Sequence, residues 1–169
     1  MPVDSFKYLP RLISAVYKLT DQEPELPIPW TSLPRSLAHC KFGLVTSAGF
    51  YDKGIDPPFD LEREKREPTW GDPTYRQIRS NISSGELGLS HLHINTAYAQ
   101  DDCNVMLPIQ RFYELVERGQ IGGLADYAYS FMGYQGYPPD TSEWRNCYAL
   151  QVAEKLKSEQ VNCVLLTPG

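Results

Sequence analysis

Residues 141–169 read as an amphipathic helix followed at once by an apolar strand, and this constrains the fold most. Tyr148, Val152 and Leu156 recur every four positions, the stripe a helix needs to dock on a sheet. Thr141 and Ser142 offer N-cap oxygens, and Glu143 suits the positive end of the helix dipole. Val161-Asn162-Cys163-Val164-Leu165-Leu166-Thr167 then reads as a buried strand, with Cys163 as a small core residue, running into Pro168-Gly169. In open α/β sheets ligands sit just beyond the carboxyl ends of strands. The turn Thr167-Pro168-Gly169 is therefore where chemistry is expected.

The upstream chain repeats the pattern. Phe42 to Gly49 is a short apolar run closed by small residues, a strand entering a loop. Leu89 to Asn95 reads as a second strand and Tyr129 to Tyr134 as a third, leading into a Gly/Pro loop over 135–139. Pro108 opens a helix through Arg111, Leu115 and Val116 that ends near Gly119. Tyr51 to Gly88 reads as a long polar region in which Leu61 to Glu67 is a solvated loop or a turn of helix. Strands alternating with helices predict an α/β fold with a parallel sheet and crossover helices, incomplete at its C-terminus.

A proline-rich N-terminal arm over 1–40 precedes this α/β domain of 41–169. Within the arm, a short helix beginning near Phe6 has an apolar face through Leu12, Val16 and Leu19. Residues 21–30 carry too much proline for helix or central strand, and one further helical turn is expected over 33–39.

With 169 residues, 41% of them hydrophobic and 22% charged, the chain is long enough to bury a real core. A net charge of -5 without a basic cluster argues against nucleic acid as a partner. No apolar run approaches the ~20 residues of a membrane span, and Met1 to Phe6 lacks a signal-peptide pattern, so cytoplasmic residence is the expectation. Cys40, Cys103, Cys147 and Cys163 form no C-x-x-C pair and read as reduced thiols.

His91 and His93 alternate about Leu92 and on a strand would face one side, where two imidazoles could bind a metal or a carboxylate. Two histidines hydrogen-bonded beneath a loop are the plainer alternative. Asp101 and Asp102 lie near enough in sequence to partner them, but no third ligand is identifiable, so no metal is expected. Thr46-Ser47-Ala48-Gly49 lets backbone N–H groups approach a ligand or is simply a tight strand exit. Arg76, within Gly71-Asp72-Pro73-Thr74-Tyr75-Arg76, could clamp a substrate carboxylate, although most surface arginines do not.

Taken together, eight short blocks in order resemble the selenoprotein B family of glycine/sarcosine/betaine reductase and D-proline reductase. They are 44–49, 56–60, 71–76, Ser90-His91-Leu92-His93, 102–108, Gly119-Gln120-Ile121-Gly122, Ser130-Phe131-Met132-Gly133 and 164–169. The resemblance runs from about Phe42 and leaves the arm uncovered.

It implies a subunit of a reductase that cleaves the C–N bond of a small amine or amino acid, with a dithiol/disulfide couple. In that family a selenocysteine or cysteine follows the Thr-Pro turn, and a second cysteine follows after two intervening residues. Selenocysteine is encoded by UGA, which gene calling reads as stop, so the nucleophile is expected just beyond Gly169 and this chain by itself is expected to be inactive.

The resemblance further implies that Thr167, Pro168 and Gly169 present the nucleophile. His91 and His93 would protonate the leaving amine or hold a substrate carboxylate, Ser47 and Arg76 would face substrate, and Asp102 and Asn104 would organise the rim. No cofactor is expected in this chain, but a pyruvoyl group on a partner subunit and a dithiol reductant are. The competing expectations are a non-catalytic small-molecule-binding α/β domain that lacks the nucleophile and a metal-dependent hydrolase built on His91 and His93.

Overall fold

β1 (Lys41–Thr46) is the strand on which the sheet is assembled. One of its edges is filled along nearly its whole length by β7 (Cys163–Thr167), in parallel, from Phe42↔Cys163 to Thr46↔Thr167. Its other edge is shared by β5 (Gly123–Leu124) at the start and β6 (Tyr127–Phe131) at the end, both also parallel. β3 (Tyr75–Arg79) then adds antiparallel to β6. A separate antiparallel pair joins β2 (Phe50–Asp52) to β4 (Leu87–Leu89). This computed structural model describes Arg11, Ala15, Thr31–Leu33 and Arg35–Gly169. The chain divides into two compact units, Met1–Ser32 and Leu33–Gly169, and the architecture here is that of the second. The expected arm helix and the proline-rich stretch lie outside the described residues; a short 3₁₀ turn does occupy Leu37–His39.

The fold is α/β, but the sheet is mixed, which corrects the expectation of a parallel one. The strand responsible, β3, lay in the supposed polar region. Its inward positions are Arg76 and Ile78, both buried, while Tyr75, Gln77 and Arg79 are partly exposed. Such one-sided burial is typical of an antiparallel strand, and a charged residue at an inward position hides the alternation from a hydrophobicity count. The same region also holds β2, β4 and the short helix α1 (Leu61–Arg66).

A second correction concerns 89–95. The strand ends at Leu89, and His91 and His93 lie on the loop that follows. The His93 N–H, which a ladder would have used, donates instead to His91 Nδ1 at 3.0 Å. A side chain that captures the backbone two residues on favours a turn over a strand.

Helix α2 (Ala97–Asp101) follows, and α3 (Ile109–Glu117) starts directly after Pro108 as expected. The helix expected from Ser142 begins with one wide turn over Trp144–Tyr148 and continues as α4 (Ala149–Ser158). Its first amides are served by Asp140, whose Oδ1 accepts from the Ser142 N–H at 2.9 Å, rather than by Thr141 or Ser142.

Two apolar clusters occupy the core. Leu44, Phe50, Ile78, Leu107, Ile109 and Ala128 form one; Tyr129, Phe131, Val152 and Leu156 form the other, with Val45 packed against it. Alternate residues of β1 and β6 thus feed different clusters, the period-2 signature of a sheet packed on both faces. Gly43 admits α4, since a Cβ there would lie 2.6 Å from Leu156 Cδ2. Cys163 is only half-buried, beside the fully buried Cys40, and is not the core residue expected.

Gly49 has φ +77°, and a Cβ on it would come within 2.1 Å of the Ser90 carbonyl oxygen. Its carbonyl also accepts from the Ser90 N–H at 2.9 Å, so the glycine lets the histidine loop cross the exit of β1. Gly49→Ala is expected to cost ~1 kcal/mol or more in stability, measured by urea unfolding, because backbone rather than a movable side chain blocks the added carbon.

Candidate functional site

Because β1, β6 and β7 are parallel, their carboxyl ends emerge at one end of the sheet. The Ser47 N–H extends the β1–β7 pairing by donating to Thr167 O at 3.1 Å, and the Gly169 N–H donates to Ser47 Oγ at 3.0 Å. Thr167 Oγ1 donates to Met106 O at 2.6 Å, tying the strand end to the loop before α3. Gly169 lies so close to Ala48 that a Cβ on it would be 2.3 Å from Ala48 Cα. Thr167, Pro168, Gly169 and Ser47 therefore form one braced turn.

His91 meets this turn across Gly133. A Cβ at Gly133 would stand 3.0 Å from Ser47 O, 3.2 Å from Gly169 O and 3.5 Å from His91 Nε2. A glycine there leaves room for these three polar atoms to face one another. His91 is buried, and its Nε2 has no hydrogen-bond partner among the described residues. The ring titrates far below its usual range, pushed down to about 4, first by burial and then by neighbouring His93. It is neutral at pH 7, and because Nδ1 accepts the His93 N–H, the proton is assigned to Nε2. The result is a buried donor without an acceptor, beside the end of β7.

His93 is held by groups that the sequence did not reveal. Its Nε2 lies 2.8 Å from Glu64 Oε1, and its ring stacks on Tyr134 with centroids 4.2 Å apart. The Tyr134 hydroxyl donates to Pro68 O, which fixes the stacking partner. Glu64 belongs to the charged run Leu61–Arg66 and is the one buried residue of α1. Asp60 caps that helix by accepting the Arg63 N–H at 2.9 Å, which orients Glu64 inward. Burial pushes the Glu64 carboxyl up and the His93 hydrogen bond opposes this, with Asp72 adding to the rise. Among its charged neighbours Glu62, Arg63, Lys65 and Arg66, Glu64 carried no periodic signal that could have singled it out.

The remaining expected residues are placed as follows. Arg76 spends its donors within the protein: Nε on Pro57 O at 2.8 Å, one terminal nitrogen on Thr74 Oγ1 and Tyr75 O, the other on Pro58 O and Asp72. It also covers the Phe59 ring at 4.0 Å, so it bolts the 57–59 loop to β3. Asp102 accepts from the Asn104 backbone and side chain, and Asn104 Oδ1 accepts from the Gln110 N–H, an arrangement that starts α3. No group of three or more His, Cys, Asp or Glu among the described residues could hold a metal. On the far side of the turn, Val45, Phe131, Trp144, Leu166 and Pro168 line an apolar cavity of about 430 Å³. No helix among the described residues is long and apolar enough to cross a membrane.

Residues 23–169 match the family described as glycine/sarcosine/betaine reductase selenoprotein B, and the chain belongs to that family. The match reaches further toward the N-terminus than the blocks from Phe42 onward had indicated. The chain is 31% identical over 140 residues to the D-proline reductase subunit gamma of Acetoanaerobium sticklandii, covering 83% of this chain and 53% of that protein. It is 27% identical over 133 residues to the glycine reductase complex component B subunit gamma of Symbiobacterium thermophilum, covering 79% and 29% respectively. The subunit of the same name from Carboxydothermus hydrogenoformans is 26% identical over 149 residues, covering 85% and 32%. The chain thus spans about half or less of the length of these relatives. No solved structure matches.

The direction of the His91 shift gives a stability test. A base depressed from 6.5 to about 4 contributes stability that is present above pH 6.5 and lost as pH falls toward 4. Between pH 7 and pH 4.5 the wild type should lose on the order of 2 kcal/mol relative to His91→Gln, read from urea midpoints at the two pH values.

Proposed function

We propose that this chain is part of the selenoprotein subunit of a reductase that cleaves the C–N bond of a small amine or amino acid, of the glycine, sarcosine, betaine or D-proline type. The nucleophile is placed on the residue following Gly169. The observation that carries the reading is the braced Thr167-Pro168-Gly169 turn with the unpartnered His91 Nε2 beside it, in a chain of the selenoprotein B family. Membership alone names a family; the orphaned donor supports reading this end of the sheet as an anion site.

A selenol at that position would supply the group that displaces the amine, being far more acidic than a thiol and thus present as the selenolate at neutral pH. The residues in hand perform the supporting tasks. Ser47 and Thr167 fix the turn through their hydrogen bonds, and Gly169 and Gly133 permit the close approach of backbone. His91 offers Nε2–H to negative charge at the strand end. His93, bonded to Glu64, stands behind it and orders the loop that carries it. Arg76, with its donors engaged within the protein, serves substrate indirectly by fixing the loop over 57–59. The pyruvoyl-bearing partner and the dithiol reductant belong to this reading as partners of the complex, as does residence in the cytoplasm.

The test is the intact mass and selenium content of the protein from its native host. A product longer than 169 residues that carries selenium, with reductase activity blocked by alkylation, is the expected result. A selenium-free product ending at Gly169 would overturn the proposal and leave a binding or accessory domain.

A further inference from the structure

We infer that Glu64 is a positioning residue that, through His93, holds His91 as a fixed Nε2–H donor aimed at the turn Thr167–Gly169. The inference deepens the reductase reading and rests on it for the identity of the acceptor. It does not depend on that reading for the geometry.

The His93 N–H only donates, so His91 Nδ1, 3.0 Å away, must present a lone pair. A doubly protonated imidazole would set two donors against each other and lose this bond. Its survival therefore requires a neutral His91 whose proton is on Nε2. That nitrogen is the buried, unpartnered one that converges with Ser47 O and Gly169 O over Gly133. His91 is thus built as a permanent dipole with its positive end toward the strand terminus. Such a preorganised donor stabilises an anion there without itself changing protonation state.

The His91–His93 contact holds only while the loop between them keeps its shape, and no strand pairing supports it, since β4 ends at Leu89. The constraint comes from the His93 side chain, which is clamped at its far end by Glu64 Oε1 at 2.8 Å and on its face by Tyr134 at 4.2 Å between centroids. Glu64 is buried at the cost of desolvating a carboxyl group, and Asp72 nearby adds like charge. α1 gains nothing from an inward acid as such, and a leucine there would pack at less cost. An inward carboxyl group bonded to a histidine ring that orders a second, orphaned histidine is explained by that ordering. The role resembles that of the outer partners that fix ring orientation and tautomer in other histidine sites.

The experiment is long-range ¹H–¹⁵N NMR of histidine-labelled full-length protein, with His91→Gln and His93→Gln used to assign the rings. In the wild type His91 is expected in a single neutral form with the proton on Nε2. Glu64→Leu should convert this to a mixture of both neutral tautomers, and His93→Ala, which keeps the backbone N–H but loses the clamp, should do the same. Glu64→Gln, whose side-chain oxygen can still accept from His93 Nε2, should restore the single form.

A wild-type His91 carrying its proton on Nδ1 would overturn the inference without any variant, so misfolding of Glu64→Leu cannot shield it. A folded Glu64→Leu and His93→Ala that both retain the pure Nε2–H form would overturn it as well. The selenium measurement fails or succeeds separately: a selenium-free protein with this tautomer pattern would refute the reductase reading and leave the positioning role of Glu64 intact.

Discussion

The parallel pairing of β1 with β7 is the constraint on which the site depends. Five registered residue pairs from Phe42↔Cys163 to Thr46↔Thr167 deliver the turn after β7 to Ser47, and the Ser47 amide extends the ladder by one more bond. A slip of one residue would turn every β7 side chain to the opposite face and carry Gly169 away from Ala48 and Gly133. The helix that precedes β7 sets this register through Val152 and Leu156, which pack in the cluster of Tyr129 and Phe131. Gly43 allows the required approach. β7 nevertheless leaves Val164 and Leu166 substantially exposed, at 44% and 71%, so the strand is held chiefly by its backbone pairing and one face.

Three buried acids divide the rest of the labour. Asp52 is fully buried and meets Arg79 through two bonds, at 2.6 and 2.9 Å, which hold its carboxyl group below the usual range. Asp72 is buried with Arg76, whose remaining donors grip the 57–58 carbonyls. Both pairs use the guanidinium fork, which stays charged and gives fixed geometry, and both join loops to β3 or its approach. Glu64 differs, because its partner is a histidine and because burial, not pairing, is the larger influence on its carboxyl group. The two arginine pairs are therefore architecture, whereas the Glu64–His93 pair belongs with the strand-end cluster.

Local patterns carried part of the fold. The terminal strand was legible as a continuous apolar run and the last helix as a four-residue stripe, and α3 followed Pro108 as proline at a helix start predicts. β3 was not legible, because a buried arginine occupies one of its inward positions, satisfied partly by its neighbours Asp72 and Thr74 and partly by the Pro57 and Pro58 carbonyls. The histidine loop was misread as strand because H-L-H has the alternation of a strand, while the bond that breaks the ladder is made by one of those histidines. At the candidate site, the turn and His91 were singled out by type and spacing. Glu64 was not, since one acid among the charges of α1 becomes distinctive only when the helix turns it inward.

By itself, then, the sequence determined the element types of its strongly periodic segments and the family to which the chain belongs, and it singled out the strand-end turn as the candidate site. These depend on residue order and local periodicity. The tertiary structure alone decided strand direction, the burial of Arg76 and Glu64, and the meeting of His91 Nε2 with Ser47 O and Gly169 O over Gly133. Those features arise from contacts between residues tens of positions apart, where hydrogen-bond satisfaction and desolvation outweigh the preference of any single residue.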